Sequence, residues 1–241
     1  LHIEEPEPPA PVTEPEKTFE EVLDEHPVSI QVNGQWQTFP NAKAAEEASY
    51  EEYKANLRRN AKNFRITDEH LGEGGPKAKF QANVNAIRLL KELEAAGQQA
   101  SPEQQEVLSR YVGWGGLSDA FDPEKPVWAL EYAQLKELLT PEEYAAARSS
   151  TLNAHYTSPT VIQAIYEAVN RMGFETGNIL EPSMGVGNFF GMLPEEMRNS
   201  RLYGVELDPV SGRIAKQLYP KADITVGGFE TTDRRDFFDL A

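Results

Sequence analysis

Residues Leu180-Glu181-Pro182-Ser183-Met184-Gly185-Val186-Gly187-Asn188-Phe189 place a carboxylate, a glycine-bearing turn and a helix start in succession. The acid follows a short apolar run, Asn178-Ile179-Leu180, and so falls at a strand tip. A carboxylate there can accept hydrogen bonds from an ammonium group and would repel a pyrophosphate. Gly185 and Gly187 let the backbone come close to a ligand at the carboxyl end of a sheet. About twenty residues further on, Leu202-Tyr203-Gly204-Val205-Glu206 ends a second apolar run in an acid, placed to accept both ribose hydroxyls of an adenosine. Dinucleotide binding is the competing chemistry. It prefers a third glycine where Phe190 stands and no acid at the first strand tip, and both differences favour S-adenosylmethionine.

Elements of alternating type must hold these groups. Ser158-Pro159 opens a helix through Met172 with Val161, Ile165 and Val169 on its inner side. Strands are expected at Asn178-Ile-Leu, Leu202-Tyr-Gly-Val and Asp223-Ile-Thr-Val, with helices starting at Gly187 and Pro209 between them. Phe237-Phe-Asp-Leu-Ala241 reads as the start of a fourth strand. Strands joined by helical crossovers imply a parallel, Rossmann-like sheet. The expected fold class is therefore α/β over residues 151–241, preceded by a mostly helical domain over 63–150 and a small β-hairpin module over 18–62. Val28-Ser-Ile-Gln-Val and Gln35-Trp-Gln-Thr-Phe39 flank Asn33-Gly34, a hairpin signal, and a helix with Tyr50, Tyr53 and Leu57 at spacings of three and four follows. In the helical domain, Val84, Ile87, Leu90 and Leu93 share a face, and Ser101-Pro and Thr140-Pro begin further helices. Gly113-Trp114-Gly115-Gly116 between them is a tight turn capped by a buried Trp, or the wall of a ligand or DNA channel; the turn is the favoured reading. Trp128 and Tyr132 are expected in helix core, and Asp233-Arg234-Arg235-Asp236 in a solvated turn. Residues 1–17, rich in Pro and Glu, are expected to be a disordered linker.

Composition sets limits. The chain has 241 residues and no cysteine, which excludes disulfides and thiolate metal sites and makes a reducing, cytoplasmic compartment the expectation. Its four histidines form no helix-spaced pair, which argues against a zinc site. No secretory signal pattern or membrane-length apolar run is evident. A formal charge of −16 opposes a broad grip on a phosphate backbone, though 4–25 alone is densely acidic.

Glu181-Pro-Ser-Met-Gly-Val-Gly-Asn-Phe189 resembles motif I of adenine-N6 DNA methyltransferases. His155-Tyr156-Thr157-Ser158-Pro159 looks like their motif X, and Glu206 matches their motif II. The match is closest to very large methyltransferase–helicase fusion proteins of phages and conjugative elements, where a Tyr-Val-Gly-Trp-Gly-Gly-Leu segment, here Tyr111 to Leu117, precedes the methyltransferase motifs. The resemblance covers about Asn63 to the end. It implies S-adenosylmethionine as cofactor, held by Tyr156, Thr157, Glu181, Pro182, Ser183, Met184, Gly185, Gly187, Asn188, Phe189, Glu206, Leu207 and Phe229. Thr157 would bond the methionine carboxylate and Leu207 would lie against the adenine ring. Gly228-Phe229 departs from the family, which usually reads Asp-Phe there, and Glu230 is expected to point elsewhere.

Catalysis in that family needs an Asn/Asp-Pro-Pro-Tyr/Phe tetrapeptide after the fourth strand, which holds the target amino group in line with the methyl sulfonium and stacks on a flipped-out adenine. None occurs in these 241 residues, and no catalytic residue is assigned. The chain also begins with Leu. The expectation is an excised piece of a bacterial or phage-encoded DNA methyltransferase of a mobile element or restriction-modification system. It would be inactive alone, with the rest of the methyltransferase and a helicase as partners and DNA bound through the full-length protein. Two other readings stay open: a dinucleotide-binding Rossmann domain, and a degenerate methyltransferase-like scaffold.

Overall fold

The computed structural model describes residues 26–152, 154 and 156–241, with side chains omitted for 53–60. The expected linker over 1–17, the start of the hairpin module, and Asn153 and His155 lie outside the described residues, as do the side chains of Tyr53 and Leu57. The chain divides into two compact units, Leu1–Arg59 and Asn60–Ala241.

In the first unit, β1 (Val28–Val32) and β2 (Gln35–Phe39) pair antiparallel with Val32 opposite Gln35. Asn33 and Gly34 both take positive φ, 52° and 76°, which matches the twist of a two-residue hairpin. Helix α1 (Ala42–Asn60) begins where the Asn41 side chain accepts from the Ala44 amide at 2.9 Å.

The second unit joins the helical stretch and the α/β stretch through one hydrophobic core. Helix α2 (Pro76–Ala95) buries Phe80, Val84, Ile87, Leu90 and Leu93 on one face. Helices α3 (Pro102–Ser109) and α5 (Pro141–Ser150) each start with a reciprocal capping box, Ser101 with Gln104 and Thr140 with Glu143. Between them, α4 (Ala129–Leu138) follows the short 3₁₀ turns Ser118–Phe121 and Pro126–Trp128. Trp114 sits at the centre of this part, buried and edge-on to Phe80, Tyr111 and Phe121 at 6.0, 6.3 and 5.2 Å. The fully buried Asn83 donates to the Gly113 carbonyl at 2.5 Å and accepts from the Val112 amide at 2.9 Å, so the backbone entering the glycine cluster is satisfied without a regular element. Trp128 packs on Phe80 at 5.9 Å beneath the Lys77 ammonium.

Strands β3 (Asn178–Glu181), β4 (Arg201–Glu206) and β5 (Asp223–Val226) form a parallel sheet in the order β3-β4-β5. The expected fourth strand is a single parallel bridge, Leu240 to Ile179, with the Leu180 amide donating to the Leu240 carbonyl at 2.8 Å. Helix α6 (Pro159–Arg171) precedes β3, the short helix α7 (Asn188–Gly191) follows it, and α8 (Pro209–Leu218) connects β4 to β5. Gln105 of α3 reaches the carbonyls of Lys62, Gln217 and Leu218 at 3.1, 3.0 and 3.2 Å, and the Phe64 amide donates to Leu218 at 2.8 Å. These bonds tie the helical part to the end of α8.

One helix face differs from expectation. In α6 the inward residues are Ile162 and Tyr166, with Val169 partly buried, whereas Val161 and Ile165 are 48% and 41% exposed. Two apolar stripes one residue apart share this helix, and the Tyr166 hydroxyl, donating to the Phe189 carbonyl at 2.8 Å, turns the second one inward. Arg234, expected in a merely solvated turn, pairs with Asp223 at 3.0 Å and lies over the rings of Tyr203 and Phe237.

Because Trp114 packs in a core shared by both parts of the second unit, Trp114→Ala is expected to destabilise that unit by about 3–5 kcal/mol. Helical and sheet signals should then melt in one shifted transition; separate transitions for the two parts would refute the shared core.

Candidate functional site

Strand β3 has β4 on one side and Leu240 on the other, so strand order reverses there and a crevice opens at the carboxyl ends. Into it projects Glu181, the last residue of β3. The chain then turns through 182–187, with Gly185 and Gly187 at φ 58° and 83°, conformations that side-chain-bearing residues rarely adopt. Glu206, at the end of β4, binds this turn. Its carboxylate accepts from the Gly185 amide at 2.6 Å and from the Asp208 amide at 2.7 Å. Asp208 in turn caps α8, accepting from the Ser211 amide at 2.7 Å.

The cleft above these residues measures about 430 Å³. It is lined by Tyr156, Thr157, Glu181, Ser183, Met184, Gly185, Asn188, Phe189, Glu206 and Leu207, ten of the residues singled out from the sequence. Pro182, Gly187 and Phe229 do not line it. Pro182 is exposed on the turn. Gly187 faces protein rather than open cleft: a Cβ there would meet the Tyr219 ring at 2.6 Å. Phe229 is 53% exposed on the 3₁₀ turn Phe229–Thr231. Nearby, Glu230 does not line the cleft either; its carboxylate folds back to within 2.1 Å of where a Cβ on Gly228 would stand.

The helical part supplies the remaining wall, with Tyr111, Gly113, Ala146, Ser149, Ser150 and Ala154, and the start of α8 adds Asp208 and Ser211. The glycine cluster forms the turn and also borders the cleft. Trp114 is buried as the cap of a turn, while Gly113 borders the cleft. Tyr156 explains why: its ring lies between Gly113 and Gly185, so that a Cβ at either would come within 2.6 or 2.8 Å of it. The positive φ of Gly113, 69°, is the property that glycine density in the sequence signals.

The electrostatics are one-sided. Burial and the nearby Glu206 carboxylate push the Glu181 carboxyl well above its ordinary range, and its Oε2 is buried with no hydrogen-bond partner. Burial also raises Glu206, against the lowering effect of the Asp208 and Gly185 amides. Tyr156 is raised by burial. Among the described residues no Lys, Arg or His lines the cleft. A carboxyl so placed is satisfied either by holding a proton or by a cation that a ligand brings.

Two curated proteins are similar to this chain. A type II methyltransferase, M.CvrRI, of Paramecium bursaria Chlorella virus XZ-6E is 36% identical over 85 residues, 35% of this chain and 22% of that protein. The defense against restriction protein B of Escherichia phage P1 is 25% identical over 159 residues, 66% of this chain and 6% of that protein. The chain therefore spans less than a quarter of the length of each relative. No protein-family model matches it, and no solved structure does. The likeness to the viral enzyme supports a methyltransferase relationship, and the mixed α/β architecture with its parallel sheet is compatible with a Rossmann-like fold. Among the described residues no helix is long and apolar enough to cross a membrane.

Burial of Glu181 has a stability consequence. The unfolded carboxyl titrates near its ordinary value of about 4.3, while the folded one, being raised, keeps its proton to higher pH. Between those two values the folded state binds more protons, so stability falls as pH rises through the window. Glu181→Gln holds no such proton. Its Tm is expected to match the unaltered chain at about pH 4 and to exceed it by about 2–4 °C at about pH 7, equivalent to roughly 1 kcal/mol. Equal melting temperatures at both pH values would show that the carboxyl is not strained by burial.

Proposed function

We propose that this chain binds S-adenosylmethionine and forms the cofactor-binding part of an adenine-N6 DNA methyltransferase. The carrying observation is Glu181: a buried carboxyl at the sheet's switch point, with one oxygen unpartnered and, among the described residues, no cationic side chain lining the cleft beside it. An α-ammonium group fits that position, and a pyrophosphate does not. The rest of the cleft suits the same ligand. Glu206, at the next strand tip, has acceptor capacity for ribose hydroxyls beyond the two amides it holds. Leu207, exposed beside it, offers an apolar face to an adenine ring, and Thr157 at the start of α6 offers a hydroxyl to a carboxylate. Ser183, Met184, Asn188 and Phe189 complete the wall between them. The cofactor supplies the electrophilic methyl group; these residues orient it and keep its charged end out of bulk water.

The adenine-N6 assignment rests on the motif resemblance at Glu181 to Phe189 and at Tyr156 to Pro159. These residues contain no Asn/Asp-Pro-Pro tetrapeptide, so the reading gives this chain cofactor binding and looks to other parts of a longer protein for the groups that hold the target base. DNA, a helicase partner, a phage or mobile-element origin, a place in restriction-modification and a cytoplasmic location belong to the same proposal. A second reading, a methyltransferase-like scaffold without catalysis, has one observation in its favour: Gly228 stands where the family usually has an acid, and neither it nor Glu230 lines the cleft.

Calorimetric titration separates these readings. S-adenosylmethionine is expected to bind and NAD not to. Glu206→Ala should weaken the cofactor by roughly tenfold to a hundredfold, the value of one lost charge-assisted hydrogen bond of about 1.5–3 kcal/mol. Preference for NAD would replace this reading with a dinucleotide site, and a folded chain that binds neither would favour the scaffold.

A further inference from the structure

Glu181 is held among groups that make its charge costly. On β4 the Glu206 carboxylate acts directly on it, and Asp208 beyond adds negative charge to Glu206. Tyr156 before α6, Tyr166 on α6 and Tyr219 after α8 are the other titratable groups that feel its field. None of them is a cation, and among the described residues no Lys, Arg or His lines the cleft. Tyr166 cannot relieve Glu181, because its hydroxyl already donates to the Phe189 carbonyl. The glycine turn does not help either, since the Gly185 amide is committed to Glu206. One carboxyl oxygen of Glu181 is left buried and without a donor. A group in that position is stable as the neutral acid, or as the carboxylate once a ligand brings positive charge.

We propose that Glu181 carries a proton while the cleft is empty and exchanges it for the cofactor's α-ammonium group, so that cofactor binding releases one proton from the protein. This inference rests on the cofactor reading above and adds a pH control to the same site. The Glu181 O–H bond breaks, its proton passes to the buffer, and the ammonium donates to the carboxylate that remains while keeping its own protons. Cofactor affinity therefore falls as pH drops through the value at which the free carboxyl titrates.

The test is titration calorimetry of the whole chain with S-adenosylhomocysteine between about pH 6 and pH 7, in phosphate and in imidazole, whose ionisation enthalpies differ. This ligand has the ammonium and no sulfonium. Its α-amino group, which sits beside a free carboxylate, stays charged throughout this range and cannot be the proton source. Close to one proton should be released, and affinity should climb by up to tenfold per pH unit until the free carboxyl ionises by itself. 5′-Methylthioadenosine, which lacks the amino-acid portion, should bind with no proton release. Glu181→Gln should bind S-adenosylhomocysteine more weakly, with neither proton release nor pH dependence. Binding of S-adenosylhomocysteine without proton release would overturn the proposal, as would equal release with 5′-methylthioadenosine or from Glu181→Gln. Should the variant not fold, the two ligands on the unaltered chain decide the matter. A folded chain that binds no adenosine compound would defeat the cofactor reading itself, and this inference with it.

Discussion

The hydrogen bond from the Gly185 amide to the Glu206 carboxylate is the contact on which the rest of the cleft depends. It joins the turn after β3 to the tip of β4, and the second oxygen of the same carboxylate takes the Asp208 amide that starts the next helix. One side chain thus sets the spacing of two strand ends and of the α8 N-terminus. Burial makes that charge expensive, and two short amide bonds offset only part of the cost, so the carboxyl stays raised. With both oxygens of Glu206 engaged by amides, a second carboxylate nearby is disfavoured, which leaves Glu181 as the group whose protonation responds to what enters the cleft.

Tyr156 extends this constraint to the helical part. Its ring fills the space that side chains at Gly113 and Gly185 would occupy, so two glycines distant in sequence face opposite edges of one aromatic. The Gly113 backbone is in turn held by Asn83 from α2, and Trp114 behind it by the core. A cleft that would be open above a bare parallel sheet therefore gains a wall from outside the sheet. This is why the helical stretch and the sheet share one compact unit rather than meeting across a linker.

Much of this was legible in the sequence because the signals are local. Asn33-Gly34 demands a turn with two positive φ values, and the structure has it. Ser101 and Thr140, each followed by Pro, mark helix starts that close as capping boxes. The acid–glycine–acid order from Glu181 to Glu206 maps onto strand tip, turn and next strand tip. Long-range features were not legible. Periodicity could not choose between the Val161/Ile165 stripe and the Ile162/Tyr166 stripe of α6, because both have helical spacing and the choice is made by a hydrogen bond to Phe189. Nor could spacing show that Gly187 is a glycine on account of Tyr219, or that Tyr111 and Gly113 border the cleft, since those contacts join residues far apart in the chain.

The charge balance finds a place in this arrangement. A formal charge of −16 is unfavourable for gripping phosphates, and the cleft is acidic too, with Glu181, Glu206 and Asp208 and no basic side chain among its described lining residues. On the cofactor reading, such a cavity suits a compact ligand with a cationic end better than a diphosphate, because its carboxyls are buried rather than screened by water. The same field would repel a nucleic-acid backbone drawn across it. On the methyltransferase reading, cofactor recognition and DNA attraction are therefore assigned to different surfaces, with this chain's acidity serving the first and basic groups outside the cleft serving the second.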